Sequence, residues 1–341
     1  IYAGYPKMER KQMYSPLITR IELELTESCN LACKFCYNSQ EPITCRNPYV
    51  LIDRLIEARV LELVLTGGEP ALHPEFFDIL KYSCKNIPRV MIQSNGTLFA
   101  EKDIIEKLSE YQIFCLNFSL HGSSTLHDTL TGVKGSFDLT AKAISYAVSC
   151  NFRIACNMVL TALNSTEKNI RELVSILHNL GIREMTLTRF IPCGTGSKSP
   201  ELIISRKDFI SALALLISET VDKNITLLLA NATPACLVPS RLHKLCSGCS
   251  FGFDKFYIDV HGNIMTCGMG RIKLGNIIKS SVQEVIGNSE IRHKYLTQNH
   301  IPEKCRQCEK LEFCRGGCRA AALAYENCIE GEDPLTFDNN R

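Results

Sequence analysis

The sequence lacks an excess of charge of either sign and lacks any long apolar run. Its 341 residues include 38 Lys and Arg against 36 Asp and Glu, for a formal net charge of +2. This balance gives no electrostatic reason to expect nucleic acid or a membrane surface as a partner, and we predict neither. No apolar stretch is long enough to span a bilayer. With 45% hydrophobic residues, the composition predicts a globular protein with a sizeable core.

The beginning of the sequence also lacks the pattern of an export signal. The segment IYAGYPKMERKQMY has no apolar stretch behind a basic end, so we expect a cytoplasmic protein. Because the first residue is Ile rather than Met, the presence of an upstream segment is left open. We predict an N-terminal extension over residues 1–17, a core domain over 18–230 and a second domain over 231–341.

Cysteine, by contrast, is abundant, with 18 residues. In a chain of this size without an export signal, so many thiols favour metal binding over disulfides. Most of them fall into two dense groups, residues 29–36 and residues 236–328. The isolated ones are interpreted as small buried hydrophobic residues: Cys45, Cys84, Cys115, Cys150, Cys156 and Cys193.

Strand-like and helix-like segments alternate along the first part of the chain. The apolar patterns predict six strands, at residues 21–26, 61–66, 89–94, 113–120, 152–160 and 183–190. They predict helices at residues 48–58, 75–84, 101–110, 136–150 and 167–180. This alternation indicates right-handed crossovers and a parallel sheet, either open or curved into a partial barrel.

The pattern changes after the sixth strand. Residues 191–200, IPCGTGSKSP, have the composition of a loop, and a last helix is predicted over residues 206–222. Beyond residue 230, short segments are separated by cysteines, with one hairpin predicted within residues 255–268. Because continuous apolar pattern is sparse there, we expect metal to hold this region together.

The first cysteine group is Cys29, Cys33 and Cys36, directly after the first predicted strand. Parallel α/β sheets place their active sites at the carboxyl ends of strands, where this loop lies. Three thiolates are one short of a closed zinc site or a fully ligated iron–sulfur cube. A [4Fe–4S] cluster held by three cysteines leaves one iron open to another ligand.

The spacing C-x3-C-x2-C, with the aromatic Phe35 before the last cysteine, resembles the signature of the radical S-adenosylmethionine (radical SAM) family. The resemblance implies that the open iron binds the amino and carboxylate groups of the cofactor's methionine. It implies that one electron from the cluster then cleaves the sulfonium to give a 5′-deoxyadenosyl radical. It also implies a partial (β/α)6 barrel, in agreement with the six strands predicted independently.

Other strand ends add to the resemblance. Residues 67–70 resemble the family's GGEP element, whose glycine backbone approaches the methionyl part of the cofactor. Asn95 and Ser119 fall at positions similar to family residues that contact the cofactor, and Asn157 is a weaker candidate. The residues predicted to bind the cofactor are Phe35, Gly67, Gly68, Glu69, Pro70, Asn95, Ser119 and Asn157.

The second cysteine group has two spaced patterns. Residues 249–267 read C-x12-G-x4-C, and residues 305–318 read C-x2-C-x5-C-x3-C. Zinc also accepts four thiolates, and spacing alone does not exclude it. Alongside the radical SAM motif, the two patterns resemble the SPASM extension of radical SAM enzymes, which implies two auxiliary [4Fe–4S] clusters.

For the first auxiliary cluster, the resemblance implies three ligands, Cys249, Cys267 and Cys318. An upstream cysteine would complete the set. We predict Cys246 in preference to Cys236.

For the second auxiliary cluster, the implied ligands are Cys305, Cys308 and Cys314. Related sequences often end this region with Asp-Pro-x-Cys, but here Thr336 stands at that place. We predict Cys328 as the fourth ligand, with a non-cysteine ligand or an open iron as the alternatives.

The function implied by the resemblance is that of a radical SAM oxidoreductase or maturase. We expect it to cross-link or oxidise a ribosomally made peptide or small protein, with an external electron donor such as flavodoxin or ferredoxin. Gly268 stands where sulfatase-maturing enzymes typically have aspartate, which disfavours that activity. The alternatives are a tetrapyrrole- or cofactor-modifying enzyme and, more remotely, a non-catalytic iron–sulfur carrier, which would need no open iron. No residue is singled out as a general base.

Overall fold

The structure is a computed structural model that describes residues 18–246, 248–250 and 252–337. The predicted N-terminal extension therefore lies outside the described residues. None of the helices in these ranges has the length and apolar character to cross a membrane.

One ten-stranded sheet organises the described part of the chain. The strands are β1 (Arg20–Glu24), β2 (Glu62–Thr66), β3 (Arg89–Ser94), β4 (Cys115–Ser119), β5 (Ile154–Leu160), β6 (Glu184–Arg189), β7 (Thr226–Leu229), β8 (Lys255–Ile258), β9 (Asn263–Met265) and β10 (Lys273–Asn276). Strands β1 to β7 lie side by side in chain order, and each pairs in parallel with the next. The predicted α/β class with a parallel sheet is confirmed, and all six predicted strands are present.

Strand β7 was not predicted. It has only four residues, TLLL, and such a short apolar run fits a helix as well as a strand. Its place is decided by parallel pairing with β6, where Thr226 lies opposite Glu184. β7 is an edge strand and only partly buried, so its own pattern carries little signal.

The predicted hairpin of the cysteine-rich region is present as β8 and β9, which pair antiparallel. Gly262 has a φ of 77° in the turn, a conformation that glycine adopts without strain. Strand β8 also pairs in parallel with β1, with Phe256 opposite Ile21. The sheet therefore continues across residue 230, where the domain boundary is predicted, and β1 is flanked on both sides.

Helices connect and cover the strands. They are α1 (Pro48–Glu57), α2 (Phe76–Asn86), α3 (Lys102–Leu108), α4 (Ser124–Thr131), α5 (Ser136–Ser149), α6 (Glu167–Asn179), α7 (Arg206–Asp222), α8 (Val282–Gly287), α9 (Glu290–Leu296), α10 (Leu311–Cys314) and α11 (Arg319–Glu326). Helix α4 was missed because its eight residues, STLHDTLT, carry few apolar side chains. Every residue of β2 is buried, as expected for a parallel strand covered on both faces.

A buried ion pair joins the end of β6 to the C-terminal segment. The Arg189 guanidinium donates two hydrogen bonds to the Asp333 carboxylate, at 2.8 and 2.9 Å. Asp333 Oδ2 also accepts a hydrogen bond from the Cys318 N–H at 2.8 Å. Removing one partner would leave a buried charge without its counter-ion.

We predict that Asp333→Ala lowers the free energy of unfolding by about 3–5 kcal/mol, because Arg189 stays buried and unpaired. The matched control is Glu332→Ala, which removes a partly exposed pair with Lys304 and should cost about 0–1 kcal/mol. Denaturant midpoints of the reconstituted proteins measure both. Equal losses for the two variants would contradict the role given to the buried pair.

Candidate functional site

The three cysteines of the first group lie in the loop after β1, and all three are partly buried. Burial raises the pKa of the Cys29 thiol to about 11, and the charge of Cys36 contributes to the increase. Burial also raises the pKa of Cys33, with smaller contributions from Cys36 and Cys29. The thiols are therefore near enough to act on one another, and a positively charged centre would be needed to keep them all as thiolates.

Hydrogen-bond donors surround these sulfur atoms. The Leu31 N–H donates to Cys29 Sγ and the Asn38 N–H donates to Cys36 Sγ, each at 3.4 Å. Asn95 Nδ2 lies 3.8 Å from Cys29 Sγ. Such donors stabilise thiolate ligands, so the donor set fits an iron–sulfur cluster held by three cysteines.

In the described ranges, no group of three or more His, Cys, Asp or Glu side chains is placed to hold one metal ion.

The cysteine loop is held from one side by helix α4. The Ala32 and Lys34 N–H groups donate to the carbonyls of Thr131 and Leu130, both at 2.9 Å. The Phe35 ring packs edge-on against His121, with 4.5 Å between ring centroids. The structure thus gives Phe35 a packing role in this loop, and its contact with the cofactor stays a prediction.

Residues 191–200 hold the loop from another side. The Gly196 N–H donates to the Cys36 carbonyl at 2.8 Å, and the Thr195 N–H to the Asn38 carbonyl at 3.1 Å. Gly194 has a φ of 56°, and a Cβ there would lie 2.2 Å from the Tyr37 carbonyl oxygen. This segment, predicted as a loop, forms short 3-10 turns that dock on the third cysteine.

Gly67 and Gly68 allow the end of β2 to approach the segment before Cys29. A Cβ on Gly67 would lie 2.3 Å from the Thr26 carbonyl oxygen, and one on Gly68 would lie 2.2 Å from that of Ser28. The Gly68 N–H donates to the Thr26 carbonyl at 2.6 Å. The glycines face the protein's own backbone, and their approach to the cofactor stays a prediction.

Glu69 is fully buried and links the ends of β2 and β3. Its carboxylate accepts hydrogen bonds from Ser94 Oγ and the Asn95 N–H, each at 2.9 Å, and from the Ala71 N–H at 3.3 Å. Burial raises the pKa of Glu69 to about 7, although these hydrogen bonds act in the opposite direction. Pro70 is buried and begins the short turn that follows. Cofactor contacts by Glu69 and Pro70 stay predictions.

The other predicted polar residues lie on or directly after three successive strands: Asn95 follows β3, Ser119 ends β4 and Asn157 lies in the middle of β5. Asn95 Nδ2 donates to Asn30 Oδ1 at 2.8 Å, which ties it to the cysteine loop. Ser119 and Asn157 lie opposite each other in the β4–β5 register. Asn157 Oδ1 accepts a hydrogen bond from Thr188 Oγ1 at 2.7 Å. The structure thus places Asn95 beside the cysteine loop and places Ser119 opposite Asn157 in the sheet.

Arg271 is a site residue that the sequence did not indicate. Its Nη2 donates to Glu24 Oε1 and to Asn38 Oδ1, both at 3.1 Å, and its guanidinium lies 5.5 Å from the Tyr257 ring centroid. Glu24 is completely buried, although it belongs to the polar side of an alternating strand. Nothing in the sequence pairs residues 24 and 271, so only the fold reveals this link between the cysteine loop and the C-terminal region.

Gly268 packs against Tyr257, the same ring that Arg271 contacts. A Cβ at this position would lie 3.0 Å from the Tyr257 ring and 3.1 Å from the Tyr37 ring. An acidic side chain would therefore require these rings to move. This packing agrees with the expectation that position 268 does not carry the aspartate typical of sulfatase-maturing enzymes.

The structure brings Cys249, Cys267 and Cys318 into one packed cluster, and Cys193 packs against it too. Burial raises the pKa of Cys267, and the charges of Cys249 and Cys318 raise it further. The Gly270 N–H donates to Cys267 Sγ at 3.0 Å. Cys193 was interpreted as an isolated buried residue, and only its position beside the other three indicates more.

A second group of thiols lines a separate pocket. Cys305, Cys308 and Cys314 lie there together with Cys236. The Lys310 N–H donates to Cys308 Sγ at 3.4 Å.

Two predicted ligands lie elsewhere than the sequence implied. Burial raises the pKa of Cys246 to about 11, and the charges acting on it are those of Cys314 and Cys236. Cys246 is thus near the thiols of the pocket that Cys314 and Cys236 line, and not near Cys249, Cys267 and Cys318 as the sequence implied. Cys328 is exposed, and its thiol donates to Glu330 Oε2 at 3.0 Å. The structure does not bring Cys328 to the pocket.

A parallel α/β sheet with three thiols after its first strand, and two further cysteine clusters, defines an iron–sulfur protein of the α/β class. The family model of the radical SAM superfamily matches residues 23–177, and that of the SPASM iron–sulfur cluster-binding domain matches residues 249–309. The chain therefore contains a radical SAM domain and, C-terminal to it, a SPASM domain. It is an enzyme whose cofactors are [4Fe–4S] clusters and S-adenosylmethionine.

Relatives extend over nearly the whole chain. An AdoMet-dependent heme synthase of Methanosarcina barkeri is 26% identical, covering 92% of this chain and 95% of the relative. The subtilosin biosynthesis protein AlbA of Bacillus subtilis is 28% identical, covering 90% of this chain and 68% of the relative. The crystal structure of Streptococcus suis SuiB bound to precursor peptide SuiA superposes with a TM-score of 0.77 at 18% identity, covering 94% and 76% of the two chains.

We predict that Gly68→Ala displaces the cysteine loop, because the new Cβ would meet the Ser28 carbonyl. Cleavage of S-adenosylmethionine should fall by roughly 10²-fold, as for a misplaced reacting group. Gly287→Ala is the matched control, since a Cβ there meets nothing within 4 Å. Assays of 5′-deoxyadenosine measure both variants, and a fully active Gly68→Ala would refute the packing argument.

The raised pKa of Glu69 predicts a pH effect on stability. A carboxyl with a folded pKa of about 7 binds its proton more tightly when folded. The resulting stability is complete below about pH 4.5 and is lost as the pH rises to about 7, a change of roughly 3 kcal/mol. Unfolding midpoints at low and neutral pH should show this fall in the wild type and a smaller one in Glu69→Gln. The exposed Glu110→Gln should behave like the wild type.

Proposed function

We propose that Cys29, Cys33 and Cys36 bind a [4Fe–4S] cluster with one open iron, at which S-adenosylmethionine is cleaved. The observation that carries the proposal is the presence of three thiols just beyond the carboxyl end of β1, two of which, Cys29 and Cys36, accept backbone N–H hydrogen bonds. When reduced, such a cluster would supply one electron to break the S–C5′ bond of S-adenosylmethionine, giving methionine and a 5′-deoxyadenosyl radical that would abstract hydrogen from a substrate. A carrier protein would need no open iron, so the non-catalytic alternative is disfavoured.

The chain's own residues have separate parts in this proposal. Leu31 and Asn95 donate to the Cys29 sulfur and Asn38 donates to the Cys36 sulfur, and these hydrogen bonds stabilise the thiolate forms. Glu69 holds Asn95 in place through the backbone N–H. Ser119 at the end of β4 and Asn157 opposite it in β5 remain the proposed contacts for the cofactor.

We infer that the SPASM region holds two auxiliary clusters, one on Cys249, Cys267 and Cys318, and the other on the cysteines between residues 305 and 314. The first set packs as one cluster and the second lines one pocket, which supports the assignment. Clusters at these places suit the removal of an electron from the substrate after hydrogen abstraction. An external donor such as flavodoxin or ferredoxin would supply the electron for the first cluster.

For the substrate, we propose a ribosomally made peptide or small protein that becomes cross-linked or oxidised. SuiB shares the fold and its crystal structure contains a precursor peptide, and AlbA acts in the biosynthesis of a bacteriocin. The packed rings around Gly268 argue against sulfatase maturation. The second candidate is a tetrapyrrole substrate, which is favoured by relatives that are heme synthases.

The test is co-expression of the enzyme with each small open reading frame beside its gene, followed by mass spectrometry. We predict that one peptide loses the mass of two hydrogens, localised to one residue pair. A triple variant with Cys29, Cys33 and Cys36 changed to Ala should leave the peptide unmodified and form no 5′-deoxyadenosine.

The alternative has a distinct outcome in a parallel assay. If no peptide changes, while a porphyrin carboxylate is consumed in proportion to 5′-deoxyadenosine, the peptide proposal is wrong. The tetrapyrrole candidate then replaces it.

A further inference from the structure

The pocket of the second thiol group contains one more cysteine than the spaced motif supplies. Cys305, Cys308 and Cys314 come from that motif, whereas Cys236 comes from the segment that follows β7. Four cysteine thiolates fully ligate a [4Fe–4S] cluster. The pocket therefore carries a complete set of ligands without Cys328.

The pocket lining and one hydrogen bond place Cys236 beside the other three thiols. Cys236 is exposed, and it lines the same pocket as Cys305, Cys308 and Cys314. The N–H of the neighbouring Ala235 donates to Cys314 Sγ at 3.4 Å, which anchors this segment at the pocket.

Other candidates for the fourth position do not present a thiol to the pocket. Thr336 lines the pocket, but its hydroxyl donates to the Asp333 carbonyl at 2.8 Å. Cys246 lies near these thiols but is not among the residues that line the pocket. Cys328 does not line the pocket either, and its thiol donates to Glu330 Oε2 at 3.0 Å.

We propose that Cys236 is the fourth ligand of the second auxiliary cluster. The inference rests on the proposed iron–sulfur function of this region. It implies that every iron of this cluster is bound by the protein, so the cluster transfers electrons and does not bind the substrate.

The experiment uses the full chain with Cys29, Cys33 and Cys36 changed to Ala, so that only the auxiliary clusters contribute signals. This background should hold on the order of eight irons, four for each cluster. Adding Cys236→Ala should create one labile iron, with a [3Fe–4S] electron paramagnetic resonance signal after mild oxidation and a loss of about one iron per chain. Cys328→Ala and Cys246→Ala, made in the same background, should leave the spectrum unchanged.

Each other outcome has a defined meaning. A changed spectrum in Cys328→Ala or Cys246→Ala, with Cys236→Ala unchanged, overturns the assignment, as does an unchanged spectrum in all three. Cys236→Ser, whose oxygen can still bind iron, should retain more iron than Cys236→Ala and controls for misfolding. A background protein that binds no iron contradicts the proposed function itself.

A separate observation completes the first auxiliary set. Cys193, just beyond β6, packs with Cys249, Cys267 and Cys318. Cys193 is partly buried, and Cys318 is one of the buried residues of the cluster that it packs against. We infer that Cys193 is the fourth ligand of this cluster, a position for which the sequence favoured Cys246.

The same background tests this second inference. Cys193→Ala should alter the spectrum of the other cluster and release about one iron. Cys84→Ala, a half-buried cysteine distant in sequence from both groups, is the matched control. An unchanged spectrum in Cys193→Ala, or the same change in Cys246→Ala, overturns the inference.

Discussion

The backbone contact between residues 26–28 and the Gly67–Gly68 pair is the constraint on which the first site depends. The Gly68 N–H donates to the Thr26 carbonyl at 2.6 Å, a separation that leaves no room for a Cβ. Because of this contact, the Glu69 side chain is buried, and its carboxylate accepts hydrogen bonds from Ser94 and Asn95. Three successive strand ends are thereby held together around the first cysteine, and a side chain at either glycine would separate them.

A second link makes the SPASM region part of the same structure. Strand β8 pairs with β1, and Arg271 reaches the buried Glu24 and the end of the cysteine loop at Asn38. Burying the Glu24 charge is costly unless it is paired, so Arg271 and Asn38 are required partners. The proposed auxiliary clusters are thus attached to the strand that carries the first cluster.

The number of thiols differs between the three proposed cluster sites, which suggests different roles. Three thiols at the first site leave one iron free to bind the cofactor, whereas four thiols at each auxiliary site would ligate every iron of the cluster. Both additional thiols, Cys193 and Cys236, come from segments that directly follow strands of the sheet, after β6 and β7. The proposed ligands of all three sites therefore include residues that follow strands of the same sheet.

The sequence alone was sufficient for the α/β class, six of the parallel strands and the cysteine motifs, because these depend on local periodicity and spacing. It could not reveal β7 or the pairing of β8 with β1, because a four-residue apolar strand has no distinctive period and strand pairing is a long-range choice. For the same reason Arg271 was missed, Cys193 was interpreted as an isolated residue, and Cys236 was considered only for the other auxiliary cluster. Each of them has its neighbours in residues far along the chain. Spacing identified the thiols of each motif, but only the tertiary structure decided which distant thiol lies beside them, because proximity in space is set by packing and not by sequence order.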